Sequence, residues 1–238
     1  MSRLIAVLAT LAVLAGCEVV PVEPADPKPK TVDEGTRAVA VRAARQFVSV
    51  VETVEPVAEK ECRARTKGVN CDFLIVVDDR PGQPPNAFQT LDRSGRPVIA
   101  FNLALIADAR NADELAFIMG HETAHHIRGH IARAQRNANA GAVVLGGLTA
   151  LSGGSEEAIK TARDIGAVVG ARRYSKEFEL EADRLGTIIT LAAGYDPIKG
   201  AAYFFRIPDP GDRFLGTHPP NAARREIVRR TVAEQTSS

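Results

Sequence analysis

The stretch His121-Glu122-Thr123-Ala124-His125 constrains this chain more than any other. Residues i and i+4 share one face of an α-helix, so two imidazoles spaced this way can close on one metal ion. Glu122 stands one position along, where its carboxylate can reach a water polarised by such an ion and act as general base. Four of the five histidines fall between His121 and His130, and the fifth, His218, stands far downstream in Thr217-His218-Pro219-Pro220. Leu115, Phe117, Ile118, Met119 and Ala124 flank or enter the motif, which predicts a largely buried helix. Burying uncharged histidines and a glutamate without partners is costly, so a metal site is favoured over a solvated amphipathic helix. His130 lies about 180° from His121 on an ideal helix and is not assigned as a ligand.

The first residues carry a second signal. Arg3 precedes an apolar run from Leu4 to Leu14, followed by Ala15-Gly16-Cys17. Such a run is too short to span a bilayer and reads as a secretory signal over residues 1–16. Small residues before a lone cysteine resemble a bacterial lipobox, which makes Cys17 the expected lipidation site. Glu18, where an aspartate would favour retention in the inner membrane, points to the periplasmic side of the outer membrane, with the inner membrane as the alternative. Residues 17–30 hold prolines at 21, 24, 27 and 29 and read as an extended tether. The folded domain is expected over residues 31–238, long enough for one proper core. Arg3 is the only charged residue before Cys17, so the remainder is formally neutral. That balance argues against a nucleic-acid partner. With no Trp and few aromatics, the core must rest on Ala, Val, Leu and Ile. Cys62 and Cys71 are the other cysteines; in an oxidising compartment an even pair is expected to bridge, and their spacing does not fit a C-x-x-C metal pair.

Apolar spacing predicts a helix over Thr36–Thr53, ended or kinked at Pro56. Asp72–Val77 is apolar throughout and reads as a central strand. Ala87–Leu91 and Pro97–Asn102 read as a hairpin across Asp92-Arg93-Ser94-Gly95. Asn111 and Glu114 form a candidate capping box that starts the histidine helix, which can run on past His130. Ala140–Ser155 is rich in Gly and Ala and has two readings. One is a closely packed helix and loop under the site; the other is a flap or membrane-contacting segment, and close packing is favoured.

Two histidines leave a catalytic zinc short of a third protein ligand. Phe178-Glu179-Leu180-Glu181-Ala182-Asp183 offers helical carboxylates. Glu179 and Asp183 are i and i+4, but Glu177 and Glu181 are an equally good pair, so spacing does not choose between them.

Together these segments resemble the M48-type zinc metallopeptidases, gluzincins of membranes and periplasm. The resemblance rests on Asn86-Ala87-Phe88, Asp113-Glu114-Leu115-Ala116, His121-Glu122-x-x-His125, Tyr174-Ser175, Glu179-x-x-Ala182-Asp183 and Thr217-His218-Pro219, and it covers most of the chain from about Thr36 onward. It implies an α+β, zincin-like fold, mostly helical with a small β-sheet beside the H-E-x-x-H helix. It also implies one Zn²⁺ per chain held by His121, His125 and Glu179, with Glu122 as the catalytic base. Asp183 is then expected to orient a ligand histidine, as metal-bound imidazoles generally require. In the lipoprotein branch of the family the histidine of a T-H-P loop can swing onto zinc, which makes His218 a candidate regulatory ligand. Pro97–Asn102 resembles the edge strand that pairs with an extended substrate in zincins. No residue is assigned to oxyanion stabilisation; for His126, Arg172 and Arg173 structural roles are the commoner ones.

The expected function is a periplasmic zinc endopeptidase acting on misfolded or misassembled envelope proteins, with membrane attachment through Cys17. The outer-membrane assembly machinery is a candidate partner. The rival is a non-proteolytic chaperone or assembly factor for outer-membrane proteins; an intact Glu122 favours the enzyme.

Overall fold

The computed structural model describes residues 33–173, 175–208 and 219–237. The expected signal segment, the Pro-rich tether, Cys17, Tyr174 and His218 lie outside these residues, as does the side chain of Arg173. The described chain is mostly helical with one small sheet, which is the α+β, zincin-like arrangement.

Helix α1 spans Glu34–Arg65, capped by Asp33, whose carboxylate accepts from the Thr36 amide at 2.9 Å. It continues through Pro56 rather than ending there. Val50, Val54, Ala58 and Cys62 are wholly buried at i, i+4 spacing on both sides of the proline. Pro56 sits on the exposed face, so the residue 52 carbonyl that it leaves unpaired faces water. Tertiary packing of the apolar face thus carries the helix across a residue that would break it in isolation. Cys62, in the last turn of α1, is joined to Cys71, with Cα atoms 5.7 Å apart.

Strands β1 (Leu74–Asp78), β2 (Ala87–Leu91) and β3 (Pro97–Asn102) form a sheet in the order β1-β3-β2. The β2–β3 hairpin closes as the spacing predicts. Asp92 Oδ1 accepts from the amides of Ser94 and Arg96, and Gly95 takes φ 83°. The apolar Leu74–Asp78 strand is not central. It flanks β3 in parallel, Leu74 opposite Val98, while β3 pairs on its other side with β2, Ala87 opposite Phe101. Apolar composition reports what covers a strand's faces, not whether both its edges are paired.

Short helix α2 (Leu103–Asp108) leads to α3 (Ala112–Ile127), the histidine helix. Asn111 caps α3 by accepting from the Glu114 amide at 2.9 Å. The return arm of the expected box goes elsewhere: Glu114 accepts from the Arg110 amide and pairs with Arg206. Helix α3 does not run on past His130. Gly129 adopts φ 65°, a conformation glycine enters without steric cost, and the chain restarts as α4 (His130–Leu151).

Helices α4 and α5 (Glu156–Arg173) form a hairpin with near backbone-to-backbone packing. A Cβ on Gly141 would lie 2.0 Å from the Gly166 carbonyl oxygen. The Gly/Ala-rich segment is therefore closely packed, but against α5 rather than beneath the site. Its outer face leaves Val143 and Leu151 72% and 88% exposed. Among the described residues no helix is long and apolar enough to cross a membrane. Helix α6 (Ser175–Ala192), the short α7 (Pro197–Gly200), a 3-10 turn (Ala201–Phe205) and α8 (Asn221–Thr236) complete the described chain. The main core gathers Val50 and Val54 of α1, Phe73, Ile99 and Phe101 at the sheet, Leu115 and Met119 of α3, and Leu185 and Ile189 of α6. This packing presses α3 between α1, the sheet and α6.

Candidate metal centre

The site is built where α3 crosses α6, and two glycines set how closely they approach. A Cβ on Gly120 would lie 2.8 Å from the Gly186 carbonyl oxygen, and one on Gly186 would lie 2.8 Å from the His121 amide nitrogen. With nothing larger between the helices, the carboxylates of α6 reach the imidazoles of α3.

Three side chains converge there. His121 Nε2 and His125 Nε2 are 3.0 Å apart; Glu179 brings Oε2 to 3.5 Å from the first and Oε1 to 3.4 Å from the second. His121, His125 and Glu179 are the described residues whose ligand atoms all lie close enough together to hold one ion. Donors bound at about 2.0–2.1 Å to a tetrahedral zinc stand about 3.3 Å from one another, so this trio has the chemistry and the spacing that zinc requires. Helix spacing left Glu179 and Glu181 undecided. The fold turns Glu179 inward and points Glu181 at α4.

Around the trio lies a buried electrostatic frame. His121 Nδ1 faces Asp183 Oδ1 at 2.9 Å, and Asp183 is fully buried. Arg224 of α8 closes on Asp183 with Nε and Nη2 donating at 2.8 and 2.7 Å, and Nη2 lies 3.5 Å from Glu179 Oε2. Burial alone would raise the Asp183 carboxyl, but the Arg224 charge and hydrogen bonds, with His121, hold it below its ordinary value. Burial likewise disfavours a charged His121, yet the hydrogen bonds that Asp183 and Glu179 accept from its ring outweigh it and raise His121 to about 10.

Glu122 and the trio line a cleft of about 580 Å³. Asn86, Ala87, Phe88 and Gln89 form part of its wall, and Phe204 and Arg224 another part. The strand along the cleft is β2, not Pro97–Asn102. Strand β3 is paired on both sides, so only β2 presents an edge to the site among the described residues.

His130 is buried and lies beside His125, with Nδ1 2.9 Å from His125 Nδ1. A straight helix would carry His130 to the far side; the turn at Gly129 returns it. Burial, reinforced by the neighbouring His125, pushes His130 down to about 4. His126 is structural: its Nε2 lies 2.7 Å from the Asn70 carbonyl oxygen, and its ring meets the edge of Phe73. Arg172 is exposed and away from the cleft. Arg224 is the residue that sequence reasoning missed. It stands in a basic run, Arg224-Arg225, with nothing in its local pattern to mark one arginine as buried against Asp183.

Comparison with known proteins agrees with this geometry. Residues 44–232 match Peptidase family M48. A putative beta-barrel assembly-enhancing protease of Vibrio cholerae serotype O1 (strain ATCC 39315 / El Tor Inaba N16961) is 31% identical over 129 residues, which cover 51% of this chain and 26% of that protein. The chain thus aligns with about a quarter of that relative's length.

Proposed function

This chain belongs to peptidase family M48 and is a metalloprotease, and from that premise we propose that it is a zinc-dependent endopeptidase of the bacterial periplasm that hydrolyses misfolded or misassembled envelope proteins. The observation that carries the reading is the convergence of His121, His125 and Glu179 in a cleft that Glu122 lines and the β2 edge borders.

His121, His125 and Glu179 hold the zinc in this reading. When bound, the ion polarises the scissile carbonyl and acidifies water to a pKa near 7. Glu122 takes the proton of the attacking water and passes it to the leaving amine. Asp183 fixes the His121 ring with Nε2 facing the other ligands, and Arg224 neutralises Asp183. An extended peptide lies along the free edge of β2 and is held by main-chain hydrogen bonds. Binding through the main chain discriminates weakly between side chains, which suits a protease that removes unfolded polypeptides. The Vibrio cholerae relative, named a putative beta-barrel assembly-enhancing protease, supports an envelope substrate.

Cys17 serves as a lipid anchor on the periplasmic side of the outer membrane, and unfolded envelope proteins are the partners. His218 acts as a regulatory zinc ligand. Asn221 lines the cleft three residues later, so the tether between them is at most about 11 Å long.

The test is hydrolysis of an unfolded protein by the purified chain, measured with chelator, without it, and after zinc is restored. Activity that chelator abolishes and zinc restores is expected, and Glu122→Gln should retain zinc while losing about 10²–10⁴-fold in rate. Zinc-replete wild type that binds the unfolded protein without cleaving it would favour a holding role instead.

A further inference from the structure

We propose that His130 is a positioning residue of the metal centre: it fixes the tautomer and ring orientation of His125, and is itself fixed by Glu181 and Arg133. The inference rests on reading His121, His125 and Glu179 as a zinc site.

His125 points Nε2 into the trio, so that nitrogen must be bare to bind a cation. A neutral imidazole then keeps its proton on Nδ1. His125 Nδ1 lies 2.9 Å from His130 Nδ1, and at that distance one nitrogen donates and the other accepts. His130 Nδ1 is therefore the acceptor, and its own proton resides on Nε2. That nitrogen faces Glu181 Oε2 at 3.4 Å. Glu181 has only acceptors to offer and is gripped by Arg133, whose Nη1 and Nη2 donate at 2.7 and 3.0 Å. Every link runs donor to acceptor toward Glu181. The reverse tautomer of His125 would place a proton on the nitrogen that faces the ion.

Packing holds the chain of contacts in register. The His130 ring stacks on Phe178 at 4.6 Å and 9°, and the Arg133 guanidinium sits 4.2 Å from the same ring. His130 and Arg133 come from the first turn of α4, while Phe178 and Glu181 come from α6. The turn at Gly129 and the Glu181 carboxylate thereby acquire one purpose. His121 and His125 each have a partner on the nitrogen turned away from the ion, Asp183 for the first and His130 for the second.

The test measures zinc affinity by competition with a chromophoric chelator, together with the visible spectrum of the Co²⁺-substituted protein. His130→Phe keeps the ring that stacks on Phe178 and removes the acceptor. It is expected to weaken zinc binding about 10–100-fold and to alter the cobalt spectrum, with the melting of the metal-free protein unchanged. His130→Asn, whose Oδ1 can take the place of Nδ1 as acceptor, is expected to remain within about threefold of wild type. Wild-type affinity in His130→Phe overturns the proposal, and so do equal losses in both variants, which would mark a packing role. If His130→Phe does not fold, Glu181→Ala at a partly exposed position is expected to weaken zinc binding several-fold, and an unchanged affinity there overturns the proposal. Failure of the wild-type chain to bind zinc overturns the metal-site reading itself.

Discussion

Gly120 and Gly186 meet across the α3–α6 crossing so closely that a Cβ on either would press within 2.8 Å of the other helix's backbone. The distance from His121 to Glu179 is thus set by two residues that carry no chemistry. Gly186→Ala is expected to force the helices apart, cost about 1–3 kcal/mol of stability and lower zinc content. Gly147→Ala is the control, since a Cβ there meets nothing within 4 Å on an exposed stretch of α4. It should gain up to about 1 kcal/mol from helix propensity. Urea unfolding and zinc analysis of both variants check this; equal stability in the two would show that the crossing yields to a methyl group.

Arg224 is the counter-charge to a carboxylate with no access to water. Removing it as Arg224→Gln leaves buried Asp183 with His121 but no arginine charge, and breaking a buried ion pair typically costs about 3–5 kcal/mol. The pH dependence has a definite sign. Asp183 titrates below its ordinary value of 3.8 in the folded protein, so its stabilising contribution is present above that value and is lost as pH falls. Without Arg224 its carboxyl rises, and the acid-unfolding midpoint should move to higher pH. Acid titration followed by circular dichroism measures it; coincident midpoints for wild type and Arg224→Gln would mean that Asp183 gains nothing from the arginine.

Glu179 and Glu181 differ by two positions on α6 and by their surroundings. Glu179→Ala should strip zinc from the protein, because it removes one of three donors. Glu181→Ala should weaken binding only several-fold, because Glu181 reaches the site through His130. Metal analysis after dialysis against a common zinc buffer ranks the two. Complete loss of zinc in Glu181→Ala with retention in Glu179→Ala would reverse the ligand assignment.

Much of this was legible in the sequence because it depends on local periodicity. His121 and His125 share a helix face by their spacing alone, and the hairpin about Gly95 follows from its turn residues. Where local rules failed, a long-range contact or a single backbone angle overruled them. Packing on both sides of Pro56 carried α1 through a helix breaker. The left-handed turn at Gly129 redirected His130. Double pairing of β3 moved the free edge to β2.

The sequence by itself determined the kinds of groups present: two imidazoles one helical turn apart, a carboxylate beside them, and a second helix with four acidic residues from which a third donor could come. Only the tertiary structure decided which of those acids faces the histidines, that Arg224 rather than Arg225 is buried against Asp183, and that His130 stands behind His125. The reason is physical. A helix fixes the angles among its own side chains, but the rotation and distance of one helix against another are set by the contact surfaces of both. Here those surfaces are Gly120 and Gly186, 66 residues apart in the chain and in van der Waals contact in the fold.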